Sequence, residues 1–219
     1  MSRLVHPDLR GVSKAACRTA LPDFPVLFGA ARLIRYFIRM TGEQHYEHSV
    51  WLMPDGEMQA ELATETAALA RAAGQPPFSP HVTVAGDLKG APLCTAALCQ
   101  EIFSNQEPFP AKVSAVATGP SYFMSLFLCL SVPDSVLAAR EKLIRKLAVP
   151  GTRPWQPHIS VAYGMPNGAG KTAEQRRLSE LYLDRTISIG AVVVSRSSVS
   201  VPASAWKDIC RFRLGKSSD

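Results

Sequence analysis

The sequence predicts an α+β fold made of two similar halves. Three observations predict it. Strand and helix patterns follow one another in an order that recurs about once per half chain, and paired strands joined by short turns interrupt the alternation. Two of the strands, His81 to Ala85 and Ile159 to Ala162, alternate apolar and polar residues. One short histidine-containing pattern occurs twice, at His81 and His158, 77 residues apart.

The elements follow in order. His48 to Met53 is rich in strand formers and reads as a strand. Glu57 to Ala73 has Ala, Leu and Glu at helical spacing and stops at Gly74. Pro76-Pro77 marks a loop, and His81 to Ala85 alternates strictly. Pro92 to Phe103 reads as a helix. Lys112 to Ala117 and Tyr122 to Val132 read as strands joined across Gly119-Pro120. Pro133 opens a helix that runs through Leu147 and ends before Pro150-Gly151. Ile159 to Ala162 alternates again, Thr172 to Leu183 is an amphipathic helix, and Ile187 to Val194 and Trp206 to Leu214 close the chain as strands.

The chain has 219 residues, 47% of them hydrophobic, enough to bury a core without staples. No apolar run reaches the length of a membrane span. The net charge is +6, but it is unevenly placed. Residues 1–45 hold seven basic and three acidic side chains, so the body carries only +2. The division expected is therefore a basic extension over 1–45 and one domain over 46–219. The extension reads as an organelle transit sequence or an upstream extension with Met40 as the effective start; a helical arm packed on the body is the remaining alternative. The expected location is the cytoplasm, or an organelle if 1–45 is a transit sequence. The near-neutral body argues against binding long nucleic acid, and a monomer is expected. Five scattered cysteines show no CxxC and no Cys/His cluster, so no metal is expected and the thiols read as reduced. Cys99 and Cys210 would be the first pair to bridge in an oxidising compartment.

The repeated pattern carries the chemistry. Ser79-Pro80-His81-Val82-Thr83-Val84-Ala85 and Gln156-Pro157-His158-Ile159-Ser160-Val161-Ala162 share Pro-His-apolar-hydroxyl-Val-Ala. A strand has a side-chain period of two, so His81 and Thr83 share one face, and His158 and Ser160 share another. A pseudo-two-fold relation between the halves would bring two imidazoles and two hydroxyls into one cleft. Imidazoles titrate near neutrality and can divide acid and base roles. Hydroxyls can donate to charged oxygens.

These paired motifs resemble the two-histidine phosphoesterase superfamily, and the plant and yeast type cyclic phosphodiesterases most closely. Further likeness lies in Ser49-Val50-Trp51-Leu52-Met53-Pro54-Asp55, in Ala117-Thr118-Gly119, and in Tyr163 after the second motif. The likeness covers 48–214. It implies a bilobal fold of two antiparallel sheets with flanking helices around a central groove. It also implies metal-independent hydrolysis of cyclic phosphodiesters, with no cofactor. The substrates implied are 2′,3′-cyclic nucleotides or ADP-ribose 1″,2″-cyclic phosphate, small molecules of RNA and tRNA splicing metabolism. The resemblance makes His158 the base for water and His81 the acid. Thr83 and Ser160 become donors to the phosphate, Tyr163 a further contact near it, and Trp51 a stacking platform. Tyr122 and Phe123 are aromatic candidates along the groove, and Trp155 reads as loop packing. The alternatives are action on RNA ends or 2′,5′-linked oligonucleotides, and a binding module without turnover. Gly164 to Thr172 looks like a phosphate-binding loop but has Met165 where the spacing needs glycine. Lys171 is expected near the groove mouth.

Overall fold

The computed structural model describes residues 47–149 and 154–215. The proposed extension over 1–45 lies outside the described residues. Among the described residues, seven strands and four α-helices follow the order expected. They are β1 (His48–Pro54), α1 (Gly56–Ala72), β2 (Val82–Leu88), α2 (Pro92–Phe103), β3 (Phe109–Thr118), β4 (Leu126–Ser131), α3 (Asp134–Lys146), β5 (His158–Ala162), α4 (Ala169–Tyr182), β6 (Thr186–Arg196) and β7 (Lys207–Arg213). Each half is therefore strand, helix, histidine strand, helix, strand, with β7 added at the end.

All pairings are antiparallel. β1 lies between β2 and β6, and β4 lies between β5 and β3. Each three-stranded set thus takes two strands from its own half and the third from the other half. The sets join twice: Val82 of β2 pairs Ile159 of β5, and Phe109–Lys112 of β3 pair Thr186–Ile189 of β6. The two sheets expected from the sequence are consequently one continuous hydrogen-bonded ring, with a pseudo-dyad through these two junctions. The C-terminal half of β6 carries β7.

Burial explains why the strands sit this way. Val82, Val84, Ile159 and Val161 join the main core, as do Val50 and Leu52 of β1. Trp51 and Met53 face the other side and cluster with Ala191, Val193 and Trp206. β1 is therefore buried on both faces, although only one face touches the helices' core. Helices pair across the fold through ion pairs: Glu61 with Arg185 and Glu65 with Arg177 tie α1 to the α4 end, and Glu101 with Lys146 ties α2 to α3.

Several boundaries differ from expectation, and two of the differences bear on the site. Tyr122 to Ser125 form a turn, and β4 begins only at Leu126. Gly164 shows why: its φ is +59°, and a Cβ there would meet the Tyr122 ring at 2.6 Å. Its N–H also donates to the Tyr122 carbonyl at 2.9 Å. Tyr122 is held by this close approach, not by a ladder. The phosphate-loop look-alike is the start of α4, which begins at Ala169. Lys171 is buried there, and its Nζ donates to Gly119 O and Asn167 Oδ1. Its ammonium anchors two loops and does not line the groove, contrary to expectation.

Candidate active site

Antiparallel counting from the Val82–Ile159 pair sets His81 across from Ser160 and Thr83 across from His158. The sheets part after this one pair, and the opening between them is a cavity of about 160 Å³. His81, Thr83, His158, Ser160, Tyr163 and Trp51 all line it, so the structure brings together every site residue expected from the sequence. Phe123 lines it too, whereas Tyr122 is exposed and packs edge-on against Phe123.

Both imidazoles are oriented in the same way. His81 Nδ1 lies 2.7 Å from the Ser79 carbonyl, and His158 Nδ1 lies 2.8 Å from the Gln156 carbonyl. A carbonyl only accepts, so each Nδ1 carries the proton, and in the neutral ring Nε2 is left bare for chemistry. Each proline between carbonyl and histidine fixes the backbone of that two-residue tie.

The surroundings differ. The indole of Trp51 stacks on His81 with centroids 3.8 Å apart and an interplanar angle of 17°. Phe127 meets His158 edge-on at 5.2 Å. Trp51 pairs Thr83 on β2, and Phe127 pairs Ser160 on β5, so the two aromatics occupy equivalent positions. His81 is buried and His158 only half-buried. Burial pushes the His81 imidazole down to about 4; the Ser79 carbonyl works against this, and the charge on His158 adds to it. Trp51 itself is 4% exposed, with one face covered by His81. It holds the imidazole rather than presenting an open platform.

The hydroxyls differ as well. Ser160 Oγ donates to the Phe123 carbonyl at 2.8 Å, tying the Tyr122–Ser125 turn to β5. Thr83 is half-buried, and its hydroxyl has no hydrogen-bond partner among the described residues. Tyr163 is buried, and burial raises its phenol above the usual range while the nearby Ser160 hydroxyl works against this. It remains a protonated donor at neutral pH.

Sequence reasoning did not foresee the braces of this arrangement: Phe78 was not singled out, and Trp155 was read as loop packing only. An aromatic stands three places before each motif histidine: Phe78 and Trp155. Each reaches the opposite half. Phe78 stacks on Tyr163 at 3.8 Å, and Trp155 Nε1 donates to the Thr83 carbonyl at 3.0 Å. Their matched position was the available signal. Trp206 was missed too. It precedes β7, donates from Nε1 to Val201 O, and sets its ring 5.6 to 6.1 Å from Trp51, His81, Phe123 and Tyr163. Nothing in its local sequence marks it.

Two histidine strands meeting at a pseudo-dyad, with both imidazoles on one cavity, are the arrangement the paired motifs imply for a two-histidine phosphoesterase fold. The solved structures bear this out: E. coli LigT superposes with a TM-score of 0.51 at 15% identity, covering 78% of this chain and 99% of LigT. The TT0787 protein of Thermus thermophilus gives 0.52 at 16% identity, covering 78% and 99%. A further structure described as a phosphoesterase gives 0.53 at 14% identity, covering 79% and 100%. Among curated proteins, the cyclic phosphodiesterase of Arabidopsis thaliana is 31% identical over 120 residues. That match spans 53% of this chain and 64% of the plant protein, just under two thirds of its length. The resemblance read from the paired motifs thus holds at the level of fold and of sequence. No family model matches the chain.

Proposed function

We propose that this protein is an enzyme that hydrolyses small cyclic phosphodiesters to phosphomonoesters, with its two histidines as acid and base. The observation that carries the reading is the pair of imidazoles, each tied through Nδ1 to the carbonyl two residues before it, with Nε2 left for chemistry in a shared cavity. Water attacks phosphorus and gives its proton to one Nε2. The bond from phosphorus to the leaving ribose oxygen breaks, and that oxygen takes a proton from the other Nε2. Thr83 donates to a nonbridging oxygen as charge develops. Ser160 can join by turning its hydroxyl from the Phe123 carbonyl, and Tyr163 supplies a third donor. The substrate class is 2′,3′-cyclic nucleotides or ADP-ribose 1″,2″-cyclic phosphate, handled by a monomer without long nucleic acid.

The burial asymmetry favours one division of labour. Burial keeps His81 neutral near pH 7, so it is the partner equipped to accept the proton of water. His158, half-buried and reached by water, gives the proton to the leaving group. This reverses the order implied by the resemblance. Phosphorus NMR with a 2′,3′-cyclic nucleotide tests the reading and reports which bond opens. Histidine acid–base steps contribute about 10²–10⁴-fold each, so His81→Ala and His158→Ala should each reduce turnover by about 10³-fold. Full activity in either variant sinks the mechanism. The acidic limb of kcat/KM reports the free enzyme's base; with His81 in that role it falls below the ordinary histidine range and vanishes in His81→Ala.

A further inference from the structure

The catalytic cavity is small. At about 160 Å³ it lies below the roughly 300–1,000 Å³ of sites that enclose a whole small-molecule ligand. It takes a cyclic phosphate and the edge of its sugar, and the rest of a nucleotide must lie elsewhere. A second cavity of about 520 Å³ is lined by Ala63, Phe78, Ser79, Trp206 and Asp208. Trp51 and Trp206 line both cavities. Ser79, whose carbonyl holds His81, lines the second. The larger chamber therefore opens directly beside the reacting groups.

Its chemistry suits a planar, uncharged ring. Trp51, Phe78 and Trp206 line it, together with the exposed serines Ser79 and Ser204. The carboxylate of Asp208 is paired with Arg211 at 2.9 Å. The ion pair leaves a carboxylate oxygen that can accept hydrogen bonds from a heteroaromatic edge. Trp51 does not offer an open stacking surface, because it is almost fully buried and His81 covers one of its faces. Trp206 is half-buried, fixed by its bond to Val201, and shared by both chambers.

We infer that the second cavity is the subsite for the nucleobase of a cyclic nucleotide, with Trp206 as its stacking surface. The inference rests on the cyclic phosphodiesterase reading above and sharpens its substrate class toward nucleotides. The test compares KM for uridine 2′,3′-cyclic phosphate with KM for methyl riboside 2,3-cyclic phosphate, which lacks the base. Two variants are used. Trp206→Ala removes the stacking surface. Ala63→Trp, at an exposed position of α1 that lines the second cavity and not the first, fills the chamber. Both should raise the ratio of the two KM values by about 5- to 100-fold, the effect of losing one base–aromatic stack. A ratio unchanged in both variants, with the wild type turning over both compounds, overturns the subsite. Calorimetric titration of the full chain with uridine 2′-phosphate and with inorganic phosphate separates this from a failure of the enzyme reading. If neither cyclic compound is turned over, that reading falls. The subsite then stands only if wild type binds uridine 2′-phosphate more tightly than phosphate and Ala63→Trp abolishes the difference.

Discussion

β2 and β5 carry the same residue pattern and the same tie from histidine Nδ1 to the carbonyl two residues back, yet their histidines live in different surroundings. The origin is one position on the neighbouring strand. β1 places Trp51 beside Thr83, and β4 places Phe127 beside Ser160. An indole is wide enough to lie flat over the His81 ring, whereas the phenyl ring of Phe127 stands edge-on to His158 and leaves it half open. The repeat thus dictates backbone and tautomer, and its neighbours decide burial and so the proton. Two imidazoles that must act oppositely gain their difference from strands that do not carry the motif.

The largest expected effect is a pH-dependent stability that belongs to one half alone. The unfolded chain protonates His81 near 6.5, but the folded protein does so only near 4. Between these values unfolding takes up a proton, so stability is full above pH 6.5 and falls as pH drops toward 4. A shift of this size is worth about 3 kcal/mol. Denaturant titrations at stepped pH should show this loss in the wild type and a flatter profile in His81→Gln. Trp51→Phe, which copies the other half, should move the acidic limb of kcat/KM back toward the ordinary histidine range. A wild-type slope retained in His81→Gln would break the assignment of burial to this half.

The hydroxyls provide the next comparison. Thr83 is poised as a donor, while Ser160 is engaged with the Phe123 carbonyl. Removing a preorganised donor to a developing oxyanion costs about 10²–10³-fold in kcat. Thr83→Val should therefore lower kcat by about 10²-fold with little change in KM. Ser160→Ala should cost less in kcat, about 10-fold by the same reasoning, and should raise KM as the Phe123 turn loosens. Equal kcat losses with unchanged KM in both would show that Ser160 leaves its carbonyl fully in the Michaelis complex.

Much of this was legible in the residues alone. Alternation placed His81, Thr83, His158 and Ser160 on the groove face because a strand's period leaves only two choices, and the intervening valines and Ile159 demand the core. The pairing of helix and strand in each half was equally plain. The exchange of third strands between halves was not, because nothing in the sequence of β3 or of the largely buried β6 names their partners. The place of Lys171 was not legible either, because what it binds is the carbonyl of Gly119, 52 residues away. Trp206 was invisible for the same reason. Its role comes from four rings brought together by β1, β2 and the loops that follow β3 and β5, and no local pattern encodes that meeting.

The smallest effect tests the cross-braces. β2 leaves β5 after a single pair, which deprives the Thr83 carbonyl of a ladder partner on that side, and the Trp155 indole N–H takes the place. A bulge at Val84 frees a second carbonyl, which accepts from Arg140 Nε at 3.1 Å, and the Arg140 guanidinium lies 5.0 Å above the Trp155 ring. Trp155 and Arg140 together therefore support the strand that carries His81 and Thr83. Trp155→Phe keeps the ring in its packing but removes the donor. The cost of leaving one carbonyl unpaired is about 1 kcal/mol, read as a lowered denaturation midpoint. Because the loosened backbone belongs to Thr83, kcat should fall by a few-fold, about the factor that 1 kcal/mol represents, while the His81-dependent pH slope stays in place. Phe78→Leu, the matching change in the other brace, removes a ring contact and no hydrogen bond, so its effect should appear through Tyr163 in KM. If both variants instead shifted kcat and KM alike, the braces would be interchangeable packing, and the asymmetry between the half-sites would end at the histidines and hydroxyls.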